Sequence, residues 1–243
     1  MYIIKLNAID STNSYLKALT STVMPKDFTV VVANHQTKGR GQMGTVWQTE
    51  EGKNLTASVF KEVSALNVEK QFYISMVVAL AICKTLRQLK IPQLSIKWPN
   101  DILSANKKIC GTLIENVIKQ NKLKGSVIGF GLNVNQKNFE GLPMASSMNL
   151  ITGVLFNKDE VLSAILTQLQ FYFKLLDSKD YAEIKKQYEA LLFRKDKPST
   201  FKNEDGSIFS GIIKGITETG KLNVWTEDGI VKNFDLKEVT LLY

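Results

Sequence analysis

The stretch LSIKWPNDILSANKKICGTLIENVIKQNKLKGSVIGFGLNVN, residues 94–135, decides the fold of this chain. Short apolar segments recur along it, and the polar turns SANK and KQNKLKG separate them. This pattern predicts three antiparallel strands joined as a meander. The residues Pro99-Asn100-Asp101 are expected to interrupt the first strand at a bend, because proline has no N–H to donate to a strand ladder.

Further strands and helices are predicted on both sides of the meander. The side chains of Asp10-Ser11-Thr12-Asn13 can cap a short helix, and Asn157 with Glu160 forms a capping box for a longer one. The predicted strands cover 2–6, 28–33 and 54–60, and the predicted long helices cover 68–89, 158–176 and about 181–192. The fold class is therefore α+β, with a mixed, largely antiparallel sheet and helices packed on it.

A second, smaller unit is predicted at the C-terminal end. The polar segment RKDKPS at 194–199 separates residues 1–194 from residues 195–243. Turn signals then recur at Asp205-Gly206, Thr219-Gly220 and Asp228-Gly229, between short alternating strands. This spacing is typical of a small antiparallel β-barrel. So short a unit is marginal alone, and we expect it to lean on the larger one.

Composition excludes several classes of protein. The chain has 243 residues and a net charge of +8, but only three of its 31 basic residues are arginine and the lysines are scattered, which disfavours a nucleic-acid surface. Cys83 and Cys110 have no paired spacing and are predicted to be buried thiols of a reducing compartment, while the single His35 completes no zinc pattern. No signal peptide and no apolar run of about 20 residues is found, so a cytoplasmic protein is expected.

The glycine-rich segment Gly39-Arg40-Gly41-Gln42-Met43-Gly44 matches G-x-G-x-x-G literally. A dinucleotide site is rejected because loop and strand follow, rather than the helix whose amides would hold a pyrophosphate. A Walker A loop is rejected because Thr45 stands where its lysine should be. A flexible loop remains, whose amides and Arg40 can wrap an anion while Trp47 covers a planar ring. The alternative is a surface hairpin with an incidental arginine.

Two further segments combine groups that can bind a ligand. Lys97-Trp98-Pro99-Asn100-Asp101 places a cation, an aromatic ring and two Asx side chains together, although Asn100 and Asp101 could simply build an Asx turn while Trp98 fills the core. In Gly129-Phe130-Gly131-Leu132-Asn133 the glycines leave one face of a strand bare, and Asn133 offers a donor and an acceptor to a base edge. Gly111 likewise permits close approach of a ligand.

Five motifs, in this order and spacing, resemble the catalytic domain of biotin–protein ligases: STN (11–13), QTKGRGQMGTVW (36–47), KWPND (97–101), KICGTLIE (108–115) and GFGLNVN (129–135). The resemblance implies a class II synthetase-like catalytic domain followed by a small SH3-like β-barrel. Many bacterial relatives add an N-terminal helix-turn-helix. This chain begins too close to STN for one, so a stand-alone ligase without repressor function or a DNA partner is expected.

The resemblance implies a two-step reaction. MgATP converts biotin to biotinyl-5′-AMP and pyrophosphate, and a lysine of a biotin carboxyl carrier domain of a carboxylase then attacks the adenylate. Mg²⁺ would arrive with the ATP phosphates, and no residue is assigned as its ligand. No membrane partner is expected, and exposed sheet edges allow either a homodimer or docking of the acceptor.

The same resemblance assigns roles to individual residues. The implied biotin-binding residues are Ser11, Thr12, Asn13, Gln36, Arg40, Gly41, Gln42, Lys108 and Gly111. The implied ATP and adenylate residues are Trp47, Asn100, Asp101 and Asn133. The implied catalytic residues are Lys108 and Arg40 as cations, since the reacting carboxylate and phosphate repel each other, and Asp101 as a base for the incoming lysine.

One departure from the family pattern carries a hypothesis. The usual loop reads GRGRxGR, whereas Gln42 and Thr45 replace its second and third arginines here. Arg40 is then the only cation of the loop, and we predict weaker retention of the adenylate. Two alternatives remain open: a lipoate or octanoate ligase of similar fold, and a basic nucleic-acid-binding protein that uses the C-terminal barrel.

Overall fold

The larger sheet has seven strands. The computed structural model describes every residue from Met1 to Tyr243. Its strands are β1 (Tyr2–Ile9), β2 (Thr29–Gln36), β3 (Leu55–Glu62), β4 (Leu94–Lys97), β5 (Asp101–Ser104), β6 (Lys107–Lys119) and β7 (Lys122–Leu132). Their order is β1-β2-β3-β7-β6-β5-β4. Only β1 and β2 run parallel, and every other pair of neighbours is antiparallel. The sheet is therefore mixed but largely antiparallel, which confirms the predicted fold class.

The meander has four strands rather than the predicted three. The residues Trp98-Pro99-Asn100 reverse the chain completely, so that Lys97 of β4 lies opposite Asp101 of β5. The Trp98–Pro99 peptide bond is cis. The side-chain amide of Asn100 donates to the carbonyl of Thr112 at 2.7 Å, and the Thr112 N–H donates back to the Asn100 carbonyl at 3.0 Å. These bonds hold the turn against β6. For this reason the chain forms a hairpin here, where a bend was expected.

Five helices accompany the sheet: α1 (Thr12–Thr22), α2 (Phe72–Gln88), α3 (Met148–Thr152), α4 (Lys158–Asp177) and α5 (Tyr181–Ala190). Ser11 caps α1, because its hydroxyl accepts a hydrogen bond from the Ser14 N–H. Asn157 caps α4 in the same way, accepting from the amides of Asp159 and Glu160, as predicted. The short α3 was not predicted, since five residues carry too little periodicity to be recognised. No helix is both long and apolar enough to cross a membrane.

Both faces of the large sheet are covered, which explains the continuous apolar run in β2. Val30 belongs to the main core of 45 buried residues, formed largely with α2, α4 and α5. The adjacent Val31 points to the opposite face, where it packs with Leu16 of α1 and with Phe60 and Val127. Because α1 covers this second face, its capped start lies against β3 and β7, where the candidate site lies.

The C-terminal unit is a five-stranded antiparallel sheet. Its strands are β8 (Pro198–Asn203), β9 (Ile208–Ile216), β10 (Leu222–Thr226), β11 (Val231–Phe234) and β12 (Val239–Leu242), in the order β11-β10-β9-β8-β12. The three predicted glycine turns connect β8 to β11 in sequence. β11 and β12 form open edges, so the sheet is not closed into the expected barrel.

The small sheet leans on the larger unit, as its size led us to expect. The Trp98 indole donates to the Gly220 carbonyl at 2.9 Å. Glu218, next to that turn, accepts hydrogen bonds from Lys70 and Tyr73 at 2.6 and 2.8 Å. Phe201 and other apolar residues of the small sheet belong to the same buried cluster as the helices. The two units thus share one continuous hydrophobic core.

Candidate active site

The five sequence motifs converge on one cavity of about 420 Å³. Its walls are the start of α1, the glycine-rich loop, the turn between β4 and β5, the glycines of β6 and β7, and strand β12 of the small sheet. The sequence-predicted residues that line it are Ser11, Thr12, Asn13, Gln36, Arg40, Gly41, Gln42, Trp47, Asn100, Asp101, Lys108 and Gly111. Segments far apart in the chain therefore meet around one space large enough for a small ligand.

One end of the cavity is a buried polar cluster at the start of α1. The Gln36 side-chain oxygen accepts from the Thr12 N–H at 2.8 Å and from the Thr12 hydroxyl at 3.0 Å. Ser58 of β3 lies with its hydroxyl 2.7 Å from that of Thr12 and 2.6 Å from Asn13 Oδ1. Thr12, Asn13 and Ser58 are each at most 3% exposed. Such fixed, desolvated donors and acceptors suit a ligand with a compact polar ring.

The floor of the cavity is bare backbone covered by one indole ring. Gly111 of β6 and Gly131 of β7 lie opposite each other in the strand register. A Cβ at Gly131 would lie 2.2 Å from the Trp47 ring, and one at Gly111 would lie 3.1 Å from it. Trp47 Nε1 is buried without a hydrogen-bond partner. Only glycine lets the indole lie this close, so these glycines and Trp47 form one flat apolar surface.

Charged groups gather at the other end. Lys108 Nζ lies 2.7 Å from Asp101 Oδ1 and 5.5 Å from the centre of the Trp47 ring. Lys97 Nζ lies 4.4 Å from the ring of Tyr243. Burial lowers the pKa of Lys97, and the nearby Lys108 charge lowers it further, while Asp101 opposes the change. Two ammonium groups and a single carboxylate therefore leave this end positive, as binding of an anionic ligand requires.

Arg40 has a partner that sequence reasoning missed. Its guanidinium lies 3.2 Å from Glu115 Oε1 and donates to the Ser14 hydroxyl at 3.2 Å. Glu115 also accepts from Lys17 at 2.9 Å and from Asn13 at 3.1 Å. Burial alone would raise the pKa of this carboxyl, but the bonds from Lys17 and Asn13 and the Arg40 charge hold it below its usual value. The signal available in the sequence for this ion pair was the glutamate in the largely apolar segment KICGTLIE.

Asn133 differs from the other predicted residues, because it does not line the cavity. It is 4% exposed, and its side-chain amide donates to the Ser146 carbonyl at 3.0 Å, beyond the end of β7. Its backbone N–H donates to the Ile109 carbonyl at 2.8 Å. In this structure its side chain is thus engaged in holding the chain after β7, and its role at adenine stays a prediction.

Sequence reasoning also missed the contribution of the small sheet. Leu236, Lys237, Val239, Thr240 and Leu241 line the cavity from the turn before β12 and from β12 itself. Nothing local in these residues indicates a site, because they reach the cavity only through the contact between the two units. No group of three or more His, Cys, Asp or Glu side chains that could hold a metal ion is present.

Comparison with known proteins gives a consistent result. The model of the biotin/lipoate A/B protein ligase family matches residues 6–133. The bifunctional ligase/repressor BirA of Bacillus spizizenii is 28% identical over 236 residues, which are 95% of this chain and 71% of that protein. The biotin–[acetyl-CoA-carboxylase] ligase of Mycobacterium tuberculosis is 31% identical over 163 residues, 66% of this chain and 59% of that protein.

The same similarity is found among solved structures. The biotin protein ligase from Aquifex aeolicus in complex with biotin and ATP superposes with a TM-score of 0.82 at 28% identity, covering 99% of this chain and 98% of that one. The biotin protein ligase from Leishmania major in complex with biotinyl-5-AMP superposes with a TM-score of 0.68 at 20% identity. At 20% identity the second likeness concerns the fold alone; it covers 96% of this chain and 98% of that one.

Proposed function

This chain belongs to the biotin/lipoate A/B protein ligase family, and from that membership we propose that it is a biotin–protein ligase. It activates biotin with MgATP to biotinyl-5′-AMP and pyrophosphate, and it transfers biotin to a lysine of a biotin carboxyl carrier domain. Relatives named as biotin–[acetyl-CoA-carboxylase] ligases and the similarity to a ligase complexed with biotin and ATP support this activity. The names of those relatives indicate the carrier of a carboxylase as the acceptor.

The observation that carries the proposal is the polarity of the cavity along its length. The polar groups of Thr12, Asn13 and Gln36 suit a ureido ring. The surface of glycines and Trp47, a residue that the resemblance assigned to the adenylate side, suits the apolar ring system of biotin, and Lys108 suits a carboxylate. Biotin has these three parts in this order. A ligand bound in this direction presents its carboxylate where the positive groups lie.

In the first step, a carboxylate oxygen of biotin attacks the α-phosphorus of ATP, and the bond from that phosphorus to the bridging oxygen of pyrophosphate breaks. Both reactants are anions, so a cation fixed in advance between them lowers the barrier. We assign this role to Lys108. Asp101, 2.7 Å from the ammonium, holds it in place beside the cavity.

In the second step, the amine of the acceptor lysine attacks the carbonyl carbon of the mixed anhydride, and AMP leaves. The amine must lose a proton to form the amide. Asp101 is our candidate for the group that accepts this proton, since it is the one carboxylate lining the cavity. No protein nucleophile takes part in either step.

The polar end of the cavity favours biotin over lipoate or octanoate. The ureido group of biotin can form hydrogen bonds with the polar side chains of Thr12, Asn13 and Gln36, whereas a dithiolane ring or an alkyl tail cannot. Each such hydrogen bond contributes about 0.5–1.5 kcal/mol, so a substrate lacking a polar ring is disfavoured.

The test is exchange of labelled pyrophosphate into ATP in the presence of Mg²⁺, with biotin or lipoate as substrate. We expect exchange with biotin and a loss of about 10²–10³-fold in Lys108→Ala, the size typical of removing one electrostatic contact to a transition state. Lys107→Ala is the matched control, because Lys107 is the exposed neighbour on the same strand and does not line the cavity.

Each outcome decides between the candidate activities. Exchange with lipoate instead of biotin would assign the chain to the lipoate branch of the family. Absence of exchange with either acid would refute the adenylation step. Equal loss in the Lys107 and Lys108 variants would refute the specific role of Lys108.

A further inference from the structure

Residues 39–44 of the glycine-rich loop form hydrogen bonds to the rest of the protein through a single side chain. Within the loop, the Gly41 N–H donates to the Thr45 carbonyl at 2.7 Å and the Trp47 N–H donates to the Gly39 carbonyl at 3.0 Å, so these bonds stay inside the hairpin. The side chain of Thr45 also bonds only to Gln42. Every hydrogen bond from residues 39–44 to other elements runs through Arg40.

The group that receives Arg40 is well suited to hold it. The Glu115 side chain is 13% exposed, and it faces two cations, Arg40 and Lys17, and the amide of Asn13. A partly buried carboxylate that accepts several charge-assisted hydrogen bonds binds its partners more strongly than an exposed ion pair does. The contact therefore ties together β6, α1 and the loop.

The same contact reaches the polar end of the cavity. Asn13 donates to Glu115 with its amide nitrogen and meets the Ser58 hydroxyl with its amide oxygen, at 2.6 Å. The position of the loop and the orientation of the polar cluster are thus coupled through the side chain of Glu115. A loop with three glycines loses much chain entropy when it is ordered, so without this anchor the open loop is favoured.

We propose that Glu115 is a positioning residue that fixes the glycine-rich loop over the cavity through Arg40 and so sets how long biotin stays bound. The proposal rests on the biotin-ligase function for its ligand, but the closure of the loop can be measured without any ligand. Glu115 touches no reacting atom. Its charge acts only through Arg40 and Asn13.

The experiment compares Glu115→Gln with Lys17→Met, which removes the other cation and leaves the Arg40–Glu115 pair intact. The ligand-free readout is the rate of tryptic cleavage after Arg40 in the folded protein. We expect cleavage and biotin dissociation to be about tenfold faster in Glu115→Gln, the effect of losing one charge-assisted hydrogen bond. In pyrophosphate exchange, KM for biotin should rise by a similar factor while kcat at saturating biotin stays within about twofold.

Arg40→Gln breaks the same contact from an exposed residue and guards against misfolding of the Glu115 variant. In an Arg40→Gln background, Glu115→Gln should speed biotin release by much less than its tenfold effect in the parent protein, because the Arg40–Glu115 contact is already absent there. Equal cleavage and dissociation rates in Glu115→Gln and Lys17→Met would overturn the proposal, and so would additive effects in the double variant. If cleavage is faster in Glu115→Gln but the parent protein binds no biotin, the role of Glu115 in holding the loop stands and the ligase function is refuted instead.

Discussion

Gly131→Ala tests whether the bare floor of the cavity is needed for the ligand. The added methyl group would lie 2.2–2.6 Å from three atoms of the Trp47 indole. Gly131 cannot move away, because β7 is paired on one side with Thr56 of β3 and on the other with Gly111 of β6. The indole must therefore leave the floor, and the wall that it provides is lost.

The size of the effect follows from the area of the ring. A tryptophan buries about 150–250 Å², and losing contact on one face removes roughly 80 Å², which at about 25 cal/mol per Å² is about 2 kcal/mol. Since 1.4 kcal/mol is tenfold in an equilibrium constant, the Kd for biotin should rise about thirtyfold. Gly111→Ala should have a smaller effect, because its Cβ would lie 3.1 Å from the ring.

The assay is titration calorimetry with biotin, accompanied by thermal unfolding. Gly125→Ala is the matched control: it lies on the same strand, and its Cβ would lie 2.6 Å from the Phe60 ring, away from the cavity. It should lower the melting temperature without changing the Kd. A Kd in Gly131→Ala within twofold of the parent protein would refute the assignment of the glycine floor to biotin.

Three further predictions concern charge. Asp101→Asn should lower kcat for transfer to the acceptor more than kcat for pyrophosphate exchange, because only transfer needs a proton acceptor; equal losses in the two assays would contradict that role. Restoring arginine at positions 42 and 45 (Gln42→Arg, Thr45→Arg) should slow release of the adenylate measured by rapid filtration, and unchanged release would show that loop charge does not retain it. Hydrogen bonds from Lys70 and Tyr73 lower the pKa of Glu218 from its usual 4.5 to about 2, so this carboxylate stabilises the protein fully above its usual pKa and the contribution is lost as the pH falls through 2. Because the Glu218 side chain is 56% exposed, Glu218→Gln should lower the free energy of unfolding by at most about 1 kcal/mol at pH 7 and by clearly less at pH 2, where about half of this carboxylate is protonated in the folded protein; a difference as large at pH 2 as at pH 7 would refute the explanation.

Regular elements were predictable because their signals are local. Asn157 and Glu160 marked the start of α4, and apolar segments separated by polar turns marked β6 and β7, so the meander and the helices followed from periodicity and capping. The turn at Pro99 was misjudged, since its reversal depends on bonds between Asn100 and Thr112 of another strand. Short-range patterns cannot report such a bond.

Much of the candidate site was also predictable. The resemblance identified the motifs together, and motif residues such as Lys108 and Gly111 line one cavity. The Arg40–Glu115 pair was missed because it joins residues 75 positions apart. Lys237 was missed because it enters the cavity only when two units of the fold meet.

The position of β7 between β3 and β6 also bears on how the protein folds. β6 and β7 are joined by the two residues Gln120 and Asn121, so their pairing closes a very short loop. The pairing of β3 with β7 brings Leu55 to Leu132 and must close a loop through all of α2 and the meander, which carries a larger entropic penalty and slows folding. The two floor glycines of β6 and β7 thus meet early, whereas Ser58 of β3 joins them late at the polar end of the cavity, so the ability to bind a ligand should emerge only in the slowest phase of refolding.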